Sequence, residues 1–200
     1  MPSLANLVAM LLAALLLMGS PGPATISVAA AGAAFGPRPV VPYLCGICLG
    51  TMAVLLVVAT GVTGFVLSVP GATPVINALA GAYILYLAWR IATAPPPGRA
   101  EHGSDAPPFL GGLLLAVANP KAYAAIGAVY AGSTLIADPL ADAGAKVAVL
   151  SGVIWIVNST WMLFGAGIAG LMREPRSGRI LNVVFAVLLV AAFALSLVDW

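Results

Sequence analysis

Charge is the scarcest thing in this chain. Of 200 residues, eight are Lys or Arg and six are Asp or Glu, so 7% of positions are charged against 62% hydrophobic. Soluble domains run near 25% charged, and so few charged side chains cannot cover a water-soluble fold of this size. Acids are absent from the interior of the apolar runs: Glu101, Asp105, Asp138, Asp142, Glu174 and Asp199 all fall in loops or at segment ends. No proton relay through a buried carboxylate is therefore visible, and a cationic substrate would find no fixed counter-charge. The single histidine, His102, and two cysteines, Cys45 and Cys48, make no metal-ligand set, and no cofactor is called for. The net charge of +2 is carried at segment ends rather than in a patch, so it gives no sign of nucleic acid and none is expected as a partner.

What the chain has instead is length of apolar sequence, with a mean hydropathy of +1.10. Six hydrophobic segments run over about 4–34, 42–68, 74–93, 109–137, 145–171 and 179–198. The first lacks a basic n-region and is too long for the h-region of a signal peptide. The lipid bilayer is thus the expected surroundings. Thr73-Pro74 reads as an N-cap with proline at the first helical position, after a turn at Pro70-Gly71. The one long polar stretch, Pro95 to Pro108, reads as a linker near the midpoint.

Two segments, of about 30 residues each, are longer than the roughly 20 residues a helix needs to span a bilayer, and both are interrupted near their centres. Ser20-Pro21-Gly22-Pro23 breaks the first, and Asn119-Pro120-Lys121 breaks the fourth. Proline lacks the backbone N–H and clashes with the carbonyl four residues earlier. The freed groups cannot face lipid, so they must face protein or a wet cavity. Matched broken helices point to a transporter binding site.

Aligning Pro21 with Pro120 sets Leu15–Ala24 against Leu114–Tyr123, and Ile76-Asn77 echoes Leu181-Asn182. Each half has three spans, so the second enters the membrane from the opposite side. The expected fold is all-α and integral to the membrane: six transmembrane helices as two inverted three-helix repeats, with broken first and fourth helices. The repeats would be residues 1–94 and 109–200, joined by a cytoplasmic linker at 95–108. Arg38, Arg90, Arg99, Arg173, Arg176 and Arg179 fall on one side and Lys146 on the other. The positive-inside rule then sets both termini outside. Trp89 and Trp200 suit interfacial anchoring.

Lys121 is the ionisable side chain placed deep in a span, about 12 residues from either end, or roughly 18 Å. Its stem cannot reach an interface, and burying its charge costs about 2.5–3.5 kcal/mol. The functional reading makes it a counter-ion; the structural one makes it a contact to carbonyls freed by Pro120. Half-helices beginning after Pro23 and Pro120 present unpaired N–H groups and partial positive charge at mid-membrane. Gly22 permits close backbone approach. Together these residues form an anion trap that suits a small neutral zwitterion or an anion. Asn77, Thr51, Asn158 and Ser159 are the polar side chains placed to receive an ammonium or amide group, or else to bond helix to helix.

Cys45-Gly46-Ile47-Cys48 is a CxxC motif. It supports an alternative function, a membrane thiol–disulfide electron carrier, against which stands the resistance of one helix to the bridging geometry. Gly32 with Gly36, Gly46 with Gly50, and Gly165, Gly167 and Gly170 are packing signals. They serve within the bundle or between protomers, so a homodimer is allowed.

With these features the chain resembles the LysE/RhtB translocators, bacterial inner-membrane exporters of amino acids and related metabolites. The resemblance rests on Pro21-Gly22-Pro23, on Gly46 and Gly50, on the stretch Gly81 to Trp89, and on Asn119-Pro120-Lys121-Ala122. It implies six spans, efflux driven by the proton motive force, no enzymatic activity, and a site shared between the broken helices. It also implies Pro21, Gly22, Pro23, Asn119, Pro120 and Lys121 as the motif residues. Asn158 stands where members often carry an acid ahead of a tryptophan, here Trp161, a departure that bears on coupling. Thiol–disulfide carriers of related fold keep cysteines beside the broken-helix prolines, where this chain has Ser20 and Ala118.

Overall fold

The computed structural model describes residues 4–61, 72–93, 106–171 and 175–198. Among these residues there are eight helices and no strand: α1 (Leu4–Met18), α2 (Pro23–Phe35), α3 (Pro37–Ala59), α4 (Ala72–Ala92), α5 (Phe109–Val117), α6 (Pro120–Ala131), α7 (Pro139–Leu171) and α8 (Pro175–Val198). Five of the eight begin at a proline, where the missing N–H has no partner to lose and the fixed φ already suits the helix.

Both expected breaks are present. α1 and α2 are bent by 66° across residues 19–22, and α5 and α6 by 60° across 118–119. Three helices are long and apolar enough to cross a membrane, or five if each bent pair counts as one span, among the described residues. The turn at Pro70-Gly71, most of the linker at 95–108, and Trp200 lie outside the described residues.

Several segment boundaries differ from expectation. α3 starts at Pro37 rather than 42, because Gly36 takes a positive φ of 79° and turns the chain directly from α2 into a new helix. Thr73 and Pro74 already lie inside α4. α6 stops at Ala131, and α7 starts at Pro139, six residues ahead of the expected 145. The cause is a set of polar side chains. Asp138 Oδ1 accepts the Ala141 N–H at 2.8 Å and caps α7. Asp142 Oδ1 accepts the N–H groups of Leu135 (2.6 Å) and Ile136 (3.0 Å). Its other oxygen pairs with Lys146 at 2.7 Å, and that ammonium also reaches the Tyr130 carbonyl and lies over the Tyr130 ring. Asp142 is thus buried within a helix rather than exposed in a loop. At 33 residues, about 50 Å at 1.5 Å per residue, α7 exceeds the roughly 30 Å hydrocarbon core.

At the centre is α2, buried from Pro23 to Ala34. A helix apolar on every side has no solvent face to present, and this one packs against α3, α7 and α8. Its small residues let α7 come close: Gly32 faces the Met162 carbonyl, and Gly165 of α7 faces the Ala29 carbonyl. α3 and α5 interlock the same way, with Gly46 and Gly50 against the backbone of Phe109 and Leu113, and Gly112 against that of Tyr43. These close approaches are the small-residue packing of membrane helices. Gly167, expected to join them, has open space around it. The outer faces are apolar too: Leu4, Leu16, Leu79, Trp89 and Leu195 are all exposed, as suits a lipid surround.

Candidate functional site

The two breaks meet. At the first, α1 ends at Met18 and the backbone runs extended through Gly22 before α2 begins. Pro21 and Pro23 offer no N–H, so the carbonyls one turn earlier lose their helical donors. Donors from the second half take over. The Trp161 indole N–H of α7 donates to Gly19 O at 3.0 Å. The Lys121 ammonium at the start of α6 donates to Ser20 O and Ser20 Oγ, both at 2.8 Å, and to Pro21 O at 2.5 Å. Ser20 Oγ in turn donates to Leu17 O at 2.8 Å.

The second break is closed by its own backbone. Ala118 N–H donates to Leu114 O, Asn119 N–H to Ala116 O at 3.3 Å, and Ala122 N–H to Asn119 O at 3.0 Å. The two breaks are therefore alike in sequence and unlike in how they are satisfied. Lys121 is bonded to carbonyls of the opposite break rather than to those freed by Pro120.

A cavity of about 50 Å³ lies where the breaks meet. Of the expected site residues, Gly22, Asn119, Lys121, Asn158 and Thr51 line it. Pro21, Pro23 and Pro120 do not line it but set its walls: Pro21 by its carbonyl, Pro23 and Pro120 as buried first residues of α2 and α6. The side chain of Asn77 lies outside the described residues, and Ser159 is not at the cavity.

Two acceptors in this cavity are unmatched. Asn119 is 6% exposed and Asn158 5% exposed, and the Oδ1 of each is buried without a hydrogen-bond partner. Asn158 Nδ2 donates to Ile154 O at 2.8 Å, which fixes the amide and leaves its oxygen free. Buried polar groups without partners are rare and mark an absent ligand, water or ion. Opposite in character is the N-terminus of α2. Its first-turn N–H groups, at Ala24 and Thr25, have no carbonyl one turn earlier in their own helix, and both residues line the cavity. The residues around the cavity thus bring donors and positive charge together with neutral acceptors.

Sequence reasoning missed Thr25 and the bonding roles of Ser20 and Trp161. Thr25 Oγ1 accepts the Gly22 N–H at 2.9 Å and sits 3.1 Å from Gly22 O, a reciprocal cap on the start of α2. Its signal was available, since it stands two residues after a helix-opening proline. Trp161 stands three residues after Asn158, which sets it on the same side of α7. Cys45 and Cys48 are free thiols on α3, the second buried, and neither lines the cavity. Among the described residues, no group of three or more His, Cys, Asp or Glu could hold a metal.

The family profile described as LysE type translocator matches residues 14–199. Over 179 residues the chain is 34% identical to the cysteine/O-acetylserine efflux proteins of Escherichia coli and Shigella sonnei. That alignment covers 86% of this chain and 87% of each relative. No solved structure gives a significant match.

Proposed function

The chain belongs to the LysE type translocators, and from that premise we propose that it exports a small, neutral amino acid or close derivative across the bacterial inner membrane. The observation that carries this reading is the pairing of opposite chemistries in one buried cavity. Lys121 and the N-terminus of α2 suit a carboxylate, and Asn119 Oδ1 and Asn158 Oδ1 suit an ammonium. A zwitterion presents both groups on adjacent atoms. With no acid at the cavity, a second positive charge on the solute would go unmatched, which favours neutral side chains. The names of the efflux relatives support the same class, with cysteine and O-acetylserine as the first solutes to test.

At about 50 Å³ the cavity is well below the roughly 300–1,000 Å³ of ligand pockets. The described conformation has no room for a solute of that size, and room is made when one half moves against the other. In this reading the six spans form two inverted repeats and both termini lie outside. Export is driven by the proton motive force. Asn77 joins the site from α4 when the halves rearrange.

The test is flux. Purified protein in proteoliposomes should move O-acetyl-L-serine or cysteine down an imposed gradient, faster with a proton gradient, and Lys121→Met should abolish it. Equal flux in protein-free liposomes would remove the export reading, and equal flux with the methionine variant would remove Lys121 from the site.

A further inference from the structure

The Lys121 ammonium has three hydrogens, and its three acceptors all belong to the first break. Those acceptors lie 100 and 101 residues earlier in the chain. One side chain therefore ties the start of α6 to the end of α1. The tie depends on what position 22 lacks. A Cβ at Gly22 would stand 2.6 Å from Lys121 Cδ and 2.9 Å from its Nζ, closer than such atoms approach. Glycine there is needed for room rather than for conformation, because its φ of −166° is ordinary extended backbone. Thr25 holds this seat in place through its two bonds to Gly22.

The same ammonium borders the central cavity. Its present partners are two carbonyls and a hydroxyl, all neutral. These bonds already have a charged donor, but a carboxylate would add the Coulomb attraction of an opposite charge, which a carbonyl or hydroxyl does not offer. A carboxylate entering the cavity would therefore compete well for the lysine.

From this geometry we infer that Lys121 is a latch released by solute. Without solute it pins the two breaks together and keeps the cavity small. A solute carboxylate draws the ammonium off Ser20 and Pro21, and the halves are then free to part. The release step rests on the export reading above, whereas the pin itself does not. Gly22 is the seat that makes the exchange sterically open.

The experiment uses full-length, detergent-purified protein with Cys45 and Cys48 changed to alanine and one reporter, Ala125→Cys, in the cavity wall. Alkylation of the reporter by a small maleimide is timed with Lys121 intact, with Lys121→Met and with Gly22→Ala. Expected is slow alkylation in the intact chain and roughly ten- to a hundredfold faster alkylation in both variants, the factor for losing a charge-assisted hydrogen bond. O-acetyl-L-serine should speed the intact chain and leave the variants unchanged. Slow alkylation in both variants overturns the latch whether or not any solute is exported. Fast variants with an intact chain indifferent to O-acetyl-L-serine keep the pin and overturn its release by that solute. Lys121→Gln, which keeps most of the stem, replaces the methionine variant should the latter fail to give monodisperse protein.

Discussion

Gly22 and Lys121 occupy matched positions when the two halves are aligned on Pro21 and Pro120, and in the folded chain they touch. The pair is also unequal. One member has no side chain, and the other fills the space with a charged one. A symmetric pair of lysines could not share that volume, and a pair of glycines would leave the first break's carbonyls without donors.

Lys121→Met should lower export by at least about tenfold, since at least one hydrogen bond to a charged group is lost. Lys121→Arg should also be impaired. A planar guanidinium cannot replace a compact ammonium seated against Gly22. Initial rates of efflux at matched membrane expression check both, and full activity in the arginine variant would contradict the tight seat.

Asn158→Leu should separate stability from transport. The buried Oδ1 has no partner, so removing it relieves an unmet group and should leave the melting temperature unchanged or raised. Transport should suffer, with the KM for solute rising about tenfold through loss of an acceptor for its ammonium. Thermal unfolding and concentration-dependent flux read the two effects separately. A lowered melting temperature with unaltered KM would make Asn158 structural.

The helix packing makes a contrast within one helix. Gly165→Leu should destabilise the protein by about 1–3 kcal/mol or more, as overpacking does, because its side chain would meet the Ala29 backbone. Gly167→Leu, two residues on, has open space and should be tolerated. Thermal unfolding in detergent compares them directly, and equal loss in both would sink the close-approach account.

Asp142→Asn should destabilise the α6–α7 connection by leaving Lys146 buried without its counter-charge. Adding Lys146→Met should restore part of the loss, because the unmatched charge is then gone. Melting temperatures of the two single variants and the double variant form the cycle. A purely additive result would show that the two residues act independently.

Cys45→Ala with Cys48→Ala should leave export unchanged, because neither thiol lines the cavity. Loss of flux, or a shift in periplasmic thiol status without loss of flux, would revive the thiol–disulfide reading.

Much of the molecule is legible in the residues alone. Prolines mark helix starts and breaks because their missing N–H is a local, covalent property, so both bends could be placed before any coordinates were at hand. Glycine spacing marked Gly46 and Gly50 as packing positions for a similar reason, since only small residues let backbones touch, though that their partner is α5 came from the structure. Pro139 opens α7 as other prolines open their helices, but what holds that start in place was not legible. The start is fixed by Asp142 and Lys146 bonding to residues six to sixteen positions earlier, and a charged pair near a segment end reads as an ordinary loop.

Sequence determined that this chain is an apolar helical protein with two interrupted helices and a lysine placed at one of the interruptions, because composition and proline chemistry act locally. Only the tertiary structure decided what that lysine does. Its three partners lie at Ser20 and Pro21, a hundred residues away, and which distant carbonyls lose their donors and which side chain can reach them follows from packing. The same holds for Asn119 and Asn158. An asparagine's sequence context does not reveal whether its oxygen finds a partner; that is settled when the helices close around it.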